Sequence, residues 1–410
     1  MLCQFTVKNF QCIKETLTLD MQAANITDNQ QTIIEDIDGE EFLPLGVIYG
    51  PNGSGKSTVL LALYKLAVKV MRPICAVSCK RREECLRVSA SDSIEPFKFS
   101  KETENAPTEY ELFFRTDTNE YQYRISMLKN KIVDEALYKK ALKGKKYATV
   151  FERKSINHIS LKGALKNYNI EDISDDLPLL SYLGITRRGN HMIRDVIEWF
   201  DDRIHFLNYG DPEQDAHVAI DDSDLLKPLI LQMLKEMDID ISDYRVEKKD
   251  KNIKIFTSHV VDGDEYELNL VKDESNGTIK VFGILPYIAE SIMFGRTLII
   301  DELDAKLHPL LLNYIIGLFN DPNINKKKSQ LIFTSHDLTT MNSETFRRDE
   351  IWFIAKGTNG AAKMYSLIEF KNDDGKTERK DARYDKRYLE GRYGADPYFR
   401  RIIDWGEYNE

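Results

Sequence analysis

Hydrophobic and polar positions alternate with a period of two in Phe5-Thr6-Val7-Lys8-Asn9-Phe10 and in Glu15-Thr16-Leu17-Thr18-Leu19, which predicts a β-hairpin. Leu45-Gly46-Val47-Ile48-Tyr49 is apolar throughout, the pattern of a strand buried on both faces. Val59-Leu60-Leu61-Ala62-Leu63 then opens a helix that runs to about Val70. Alternation returns in Glu95-Pro96-Phe97-Lys98-Phe99, Tyr110-Glu111-Leu112-Phe113-Phe114, Tyr121-Gln122-Tyr123-Arg124-Ile125 and Lys131-Ile132-Val133, and predicts an antiparallel meander. From about Ser155 to Tyr244 the spacing becomes helical, with apolar faces at Leu177-Pro178-Leu179-Leu180 and Val196-Ile197-Glu198-Trp199-Phe200 and a helix over Leu225 to Met237.

A second hairpin is expected about the turn Val261-Asp262-Gly263-Asp264. The helical pattern of Ile279, Phe282, Ile284, Tyr287 and Ile288 contains Pro286, which predicts a kink or the helix's first irregularity. Thr297-Leu298-Ile299-Ile300 and Gln330-Leu331-Ile332-Phe333 are again apolar throughout and read as parallel strands of an α/β sheet. Four segments follow: residues 1–154, a lobe with the first buried strand and the meander; 155–250, a helical insertion; 251–370, a second half with the later apolar strands; and 371–410, a tail.

Gly50-Pro51-Asn52-Gly53-Ser54-Gly55-Lys56-Ser57 lies between the first buried strand and its helix, the setting of a phosphate-binding P-loop. Gly50, Gly53 and Gly55 let backbone N–H groups turn inward around phosphates, with Asn52, Ser54 and Thr58 in the same nucleotide-binding stretch. Lys56 supplies a point charge to the β/γ oxygens, and the Ser57 hydroxyl is a ligand for Mg²⁺. A P-loop hydrolase also needs a second carboxylate for the metal and a base for the attacking water. Asp301 and Glu302, at the end of an apolar strand, supply that pair, followed by Asp304. His336 ends the next apolar strand, the position expected beside a γ-phosphate. Ser275, with Gly277 two residues on, precedes a helical pattern, where a hydroxyl and N–H dipoles attract phosphate.

Composition narrows the setting. No run approaches the roughly 18 to 20 apolar residues of a membrane span, and the N-terminus carries no export signal, so the reading is a cytoplasmic protein without a membrane partner. Cys75, Cys79 and Cys85 lack the paired spacing of a zinc site and read as free thiols. A net charge of −10 argues against a wholly basic DNA-coating protein. Basic clusters at Lys139 to Lys146, Lys326-Lys327-Lys328 and Arg347-Arg348 nonetheless keep a nucleic-acid contact open. Lys80-Arg81-Arg82-Glu83-Glu84 reads as a solvated helix face or loop.

The order P-loop, Ser-x-Gly element, Asp301-Glu302, Asp304, His336 resembles the ATP-binding-cassette class of ATPase. The chain is similar to the OLD-like group of prokaryotic AAA ATPases (AAA15) and to abortive-infection and PARIS-type ATPase subunits of anti-phage defence systems. That likeness rests on Phe5 to Phe10, Glu274 to Lys280, Asp301 to Pro309, Arg347 to Phe353 and the tail Arg387 to Ala395. It implies an α/β fold, an ABC-type (SMC/RecF/OLD-like) P-loop head with an antiparallel β subdomain and a helical insertion. It also implies ATP and Mg²⁺ as cofactors and a homodimer or larger even-numbered oligomer in which Ser275 acts in trans. The partner expected is a separately encoded, nuclease-like effector; the alternative is a RecF-like repair ATPase on duplex DNA. Three positions depart from the pattern: Gln11 stands where related sequences often carry Arg, Glu274 where the signature has Leu, and Asn276 at its first Gly. Gln122 is the candidate for a glutamine switch.

Overall fold

The computed structural model describes residues 1–79, 85–91, 93–186, 190–207, 226–249, 252–371 and 375–395. The charged stretch Lys80 to Glu84 and Leu225 lie outside them.

The apolar runs become the central sheet. Its six strands are ordered Ile204–Leu207, Thr297–Ile300, Gln330–Thr334, Leu45–Tyr49, Ile351–Lys356, Ala362–Ser366, all parallel except the closing hairpin. Alternate residues feed two cores. Ile48, Ile299, Ile332 and Ile354 pack with the P-loop helix Lys56–Ser78, while Val47, Leu298, Ile300, Leu331 and Phe333 pack with the helices Asn276–Phe294 and Pro309–Asn320. Burial on both faces is why these strands carry no polar alternation.

The alternating segments form a second, antiparallel sheet of seven strands, ordered His158–Leu161, Ala148–Ser155, Lys131–Ala141, Asn119–Leu128, Thr108–Arg115, Leu2–Lys8, Leu17–Asp20. One buried side chain joins the two sheets. Gln330 accepts the Leu2 N–H at 2.7 Å and the Thr297 hydroxyl at 3.1 Å, and its amide donates to the carbonyls of Leu2 and Leu43 at 3.0 and 3.1 Å. A buried amide with its bonds made fixes register as apolar packing alone does not. The buried Glu135 makes a second junction, accepting the N–H groups of Leu179 and Leu180 at 2.7 and 2.9 Å. The helix so capped, Leu179–Thr186, docks on the P-loop helix where Ser181 Oγ donates to Val70 O at 2.7 Å.

Several elements differ from the pattern's prediction. Glu95 to Phe99 is not a strand, because the Asn9 side chain takes the Phe97 N–H at 2.9 Å and Glu95 O accepts from Gln11 N. The P-loop helix runs on to Ser78. The span expected as a helical insertion also holds strands: His158–Leu161 extends the meander, Ile204–Leu207 joins the central sheet, and Asp243–Lys249 starts a three-stranded sheet with Asn252–Val261 and Asp264–Asn269. Asn276–Phe294 passes without a break through Pro286 and, with a mean hydropathy of 1.3, is long and apolar enough by composition to cross a membrane, contrary to the sequence reading. Here its apolar character serves the core, where Val281, Phe282, Ile284, Leu285 and Ile288 are buried.

Candidate nucleotide site

Three neighbouring parallel strands deliver the chemistry-bearing residues at their C-terminal ends, where an α/β sheet places its ligands. Leu45–Tyr49 leads into the P-loop, Gln330–Thr334 leads to His336, and Thr297–Ile300 leads to Asp301 and Glu302. Two P-loop glycines are required by contact. A Cβ on Gly50 would collide with Ile354 O, and one on Gly55, whose φ is +111°, would lie 2.7 Å from Cys12 Sγ. Gly53 adopts φ +73°, also outside the range most L residues take. Asn52 and Ser57 are exposed, Thr58 is partly buried, and the buried Ser54 hydroxyl has no partner among the described residues.

Lys56 folds back on its own loop, donating to the carbonyls of Gly50 at 2.7 Å and Pro51 at 3.2 Å. Burial lowers its pKa, against the opposing pull of Glu302, Asp301 and Asp304. A buried ammonium resting on backbone carbonyls is ready to exchange them for phosphate oxygens, so the loop fits a nucleotide phosphate.

Across the site, Thr334 Oγ1 donates to Asp301 Oδ1 at 2.6 Å and accepts the Glu302 N–H at 2.7 Å. Glu302 stands at φ +51°, with its carboxylate exposed and its carbonyl accepting from Lys280 Nζ at 3.0 Å. Left-handed backbone at an L residue costs about 1 kcal/mol, and these two bonds hold it there. Asp304 Oδ2 accepts the His336 N–H at 3.0 Å, while its buried Oδ1 has no partner among the described residues. The His336 pKa is lowered, first by burial and then by Lys56, against Asp304, Glu302 and Asp301. Lys56, Asp301, Glu302, Asp304 and His336 therefore lie within one electrostatic neighbourhood.

Ser275 bonds only within its own turn among the described residues. It caps the helix Asn276–Phe294, its exposed hydroxyl accepting from Thr278 N at 3.1 Å and pairing with Thr278 Oγ1 at 2.9 Å. A Cβ on Gly277 would meet nothing closer than Lys306 O at 3.5 Å. Glu274, the departure from the usual Leu, has a local reason. It accepts from Thr257 Oγ1 and His259 Nε2, both at 2.7 Å, and so ties the three-stranded sheet to the start of the signature helix.

The sequence reading missed Thr334 and Lys280. Thr334 had only its place at a strand end to mark it, and Lys280 is a lone cation in an apolar helix, a pattern that signals a buried partner. Gln122 is not near the loop by any bond: its amide donates to Glu111 at 2.6 Å inside the meander. Gln11, at φ +48°, does adjoin it, next to Cys12. Arg347 and Arg348 are removed as nucleic-acid contacts. Arg347 is fully buried and bonded to Asp349 at 2.8 and 3.0 Å, and Arg348 pairs with Asp28 at 2.7 Å.

A P-loop beside an Asp-Glu strand end and a strand-end histidine, with a helix-capping Ser-x-Gly element, defines an ABC-type P-loop ATPase fold carrying an antiparallel β subdomain. Residues 45–342 match the family described as "AAA domain, putative AbiEii toxin, Type IV TA system", and the chain belongs to that family. Among solved structures it is similar to an SMC head domain from Thermotoga maritima (13% identity, 89% of this chain and 98% of that one, TM-score 0.40). A Smc head domain bound to the C-terminal domain of ScpA, derived from Pyrococcus furiosus, is similar over 89% of this chain and 96% of that one (12% identity, TM-score 0.36). No curated protein sequence matches.

Proposed function

We propose that this chain hydrolyses ATP at a site completed by a second copy of itself, and that the ATP-bound assembly is the sensor of a prokaryotic anti-phage system controlling a separately encoded toxic effector. One observation carries the first half. Lys56, Asp301, Glu302, Asp304 and His336 converge at three adjacent strand ends, whereas Ser275 stands exposed at a helix N-terminus, bonded within its own turn. A hydroxyl and free helical N–H groups facing outward are suited to the γ-phosphate held by another subunit.

In this reading Gly50 to Thr58 cradle the phosphates, with Lys56 leaving its carbonyl partners for them. Ser57 and Asp301 would hold Mg²⁺, which would supply Lewis-acid polarisation of phosphate oxygens. Thr334 orients Asp301, Glu302 takes the proton of the attacking water, and Asp304 and His336 sense the γ-phosphate. The family's toxin-antitoxin description supports a toxic output; the effector, nuclease-like in chemistry, is the inferred second chain. Of its basic clusters the RecF-like alternative retains exposed Lys143, Lys145, Lys146, Lys326 and Lys327, since Lys140 pairs with Glu120, Lys328 with Asp36, and Arg347 and Arg348 are paired internally.

Purification of the Glu302→Gln protein from native cells in ATP tests the reading. A co-purifying effector chain and an ATP-dependent doubling of mass are expected; full turnover by monomers at limiting dilution would overturn the shared site. Salt-dependent duplex DNA binding without an effector would favour the alternative.

A further inference from the structure

The order of the central sheet gives a nucleotide on the P-loop a direction. The strands that lead to Asp301, Glu302 and His336 lie on one side of Leu45–Tyr49, so the reacting end of a bound triphosphate points to that side. The nucleoside is then directed to the other side, over the hairpin of Ile351–Lys356 and Ala362–Ser366. The loop is closely flanked there. Gly50 abuts Ile354 O, and a Cβ on Gly55 would lie 2.7 Å from Cys12 Sγ and 3.5 Å from Ala362 Cβ, while Cys12 O accepts the Ala362 N–H at 2.7 Å.

Phe99 stands on this same side. Its ring packs on the turn of that hairpin, where Gly360 adopts φ +74° and a Cβ would lie 2.9 Å from Phe99 Cδ2. Gly360 is two residues from Ala362, and two residues span at most about 7 Å, so the ring is one short step from the flank of the P-loop. Phe99 is 72% exposed, more than any other large hydrophobic side chain among the described residues.

That exposure is built, because the segment beneath the ring is tied down at several points. Asn9 accepts the Phe97 N–H at 2.9 Å and donates to the carbonyls of Thr103 and Ala106 at 2.9 and 3.0 Å, and Gln11 N donates to Glu95 O at 2.9 Å. Phe97 is buried and meets Phe99 edge to face, with ring centroids 5.7 Å apart. Anchored from below and open outward, the ring is a flat apolar surface of the kind on which a base stacks.

We propose that Phe99 is the stacking platform for the base of the nucleotide held by the P-loop, an inference that rests on the reading of that loop as an ATP site. Phe99 then contributes to affinity for the nucleoside and nothing to the phosphate cradle.

The full chain and its Phe99→Ala and Phe99→Trp variants, altered at an exposed position, are titrated calorimetrically with ATP and with inorganic tripolyphosphate, which fills the loop without a base. Phe99→Ala is expected to weaken ATP about 5- to 100-fold and to change tripolyphosphate affinity by less than about twofold, whereas Phe99→Trp retains ATP affinity. The indole of the second variant should also lose emission when ATP binds and keep it when tripolyphosphate binds. ATP affinity unchanged in Phe99→Ala, or a loss shared equally by tripolyphosphate, overturns the platform and leaves the ATP site standing. Absence of ATP binding by the parent chain, or binding that Lys56→Ala leaves unaltered, overturns the ATP reading and the platform with it.

Discussion

The P-loop and the Ser275-Asn276-Gly277 cap of the helix Asn276–Phe294 are built in opposite ways. At Gly50 the loop is pressed against Ile354 O, and Lys56 is already folded inside it, so its geometry is complete within one chain. Gly277 has open surroundings out to 3.5 Å, and Ser275 bonds to its own turn. The first is closely packed at Gly50 and Gly55, whereas the second is exposed at Ser275 and has room at Gly277. Under the proposed function, that contrast in contact density separates a pocket from half of an interface.

The largest effect should come from breaking that contrast directly. Gly50→Ala forces a collision with Ile354 O and is expected to cut ATP affinity more than 100-fold, read by fluorescent-nucleotide titration, whereas Gly277→Ala should leave single-chain affinity within about twofold. Equal losses in both would end the distinction. Next in size, Glu302→Gln should lower turnover by about 10² to 10⁴-fold with ATP affinity nearly intact, measured by phosphate release. Lys280→Met sharpens the link between the halves, since Lys280 is on the signature helix and bonds Glu302 O. Turnover reduced by about tenfold with little change in KM is expected, because the bond orients Glu302 and lies away from the phosphate cradle.

The smallest effect concerns the strand beside the P-loop. Burial pushes the Glu350 carboxyl up to about 8, and its Oε1 has no partner among the described residues. The folded pKa exceeds the unfolded one, so the native state holds the extra proton and stability falls as pH rises from about 4.5 to about 8. Glu350→Gln should flatten that slope and raise Tm at pH 8 by roughly 2 to 4 °C, followed by thermal melts across the range. An unchanged slope would assign the pH dependence elsewhere.

Much of this arrangement is legible in the residues themselves. Continuous apolar runs mark the strands of the central sheet because both faces are covered, and the P-loop is defined by spacing that few other structures need. What is not legible depends on contacts far apart in the chain. Thr334 matters through Asp301 and Glu302, Lys280 through a carbonyl on the next element, and Arg347-Arg348 looks like a surface charge cluster until Asp28 and Asp349 are seen beside it. Glu95 to Phe99 alternates like a strand, yet the Asn9 side chain competes for its backbone. Ile204–Leu207 is four residues long and gives too little periodicity to separate it from the helices around it.

The junction at Gln330 has a consequence for biosynthesis. Its bonds to Leu2 span 328 residues, so the strand Leu2–Lys8 must wait for a partner made that much later. At about 5 to 20 residues per second, that delay is roughly 16 to 66 s, during which the meander is made but not yet locked to the sheet that will hold it. A strand that waits this long for a partner leaves its edge exposed meanwhile, and the yield in the cell should depend on chaperones more than the finished packing would indicate.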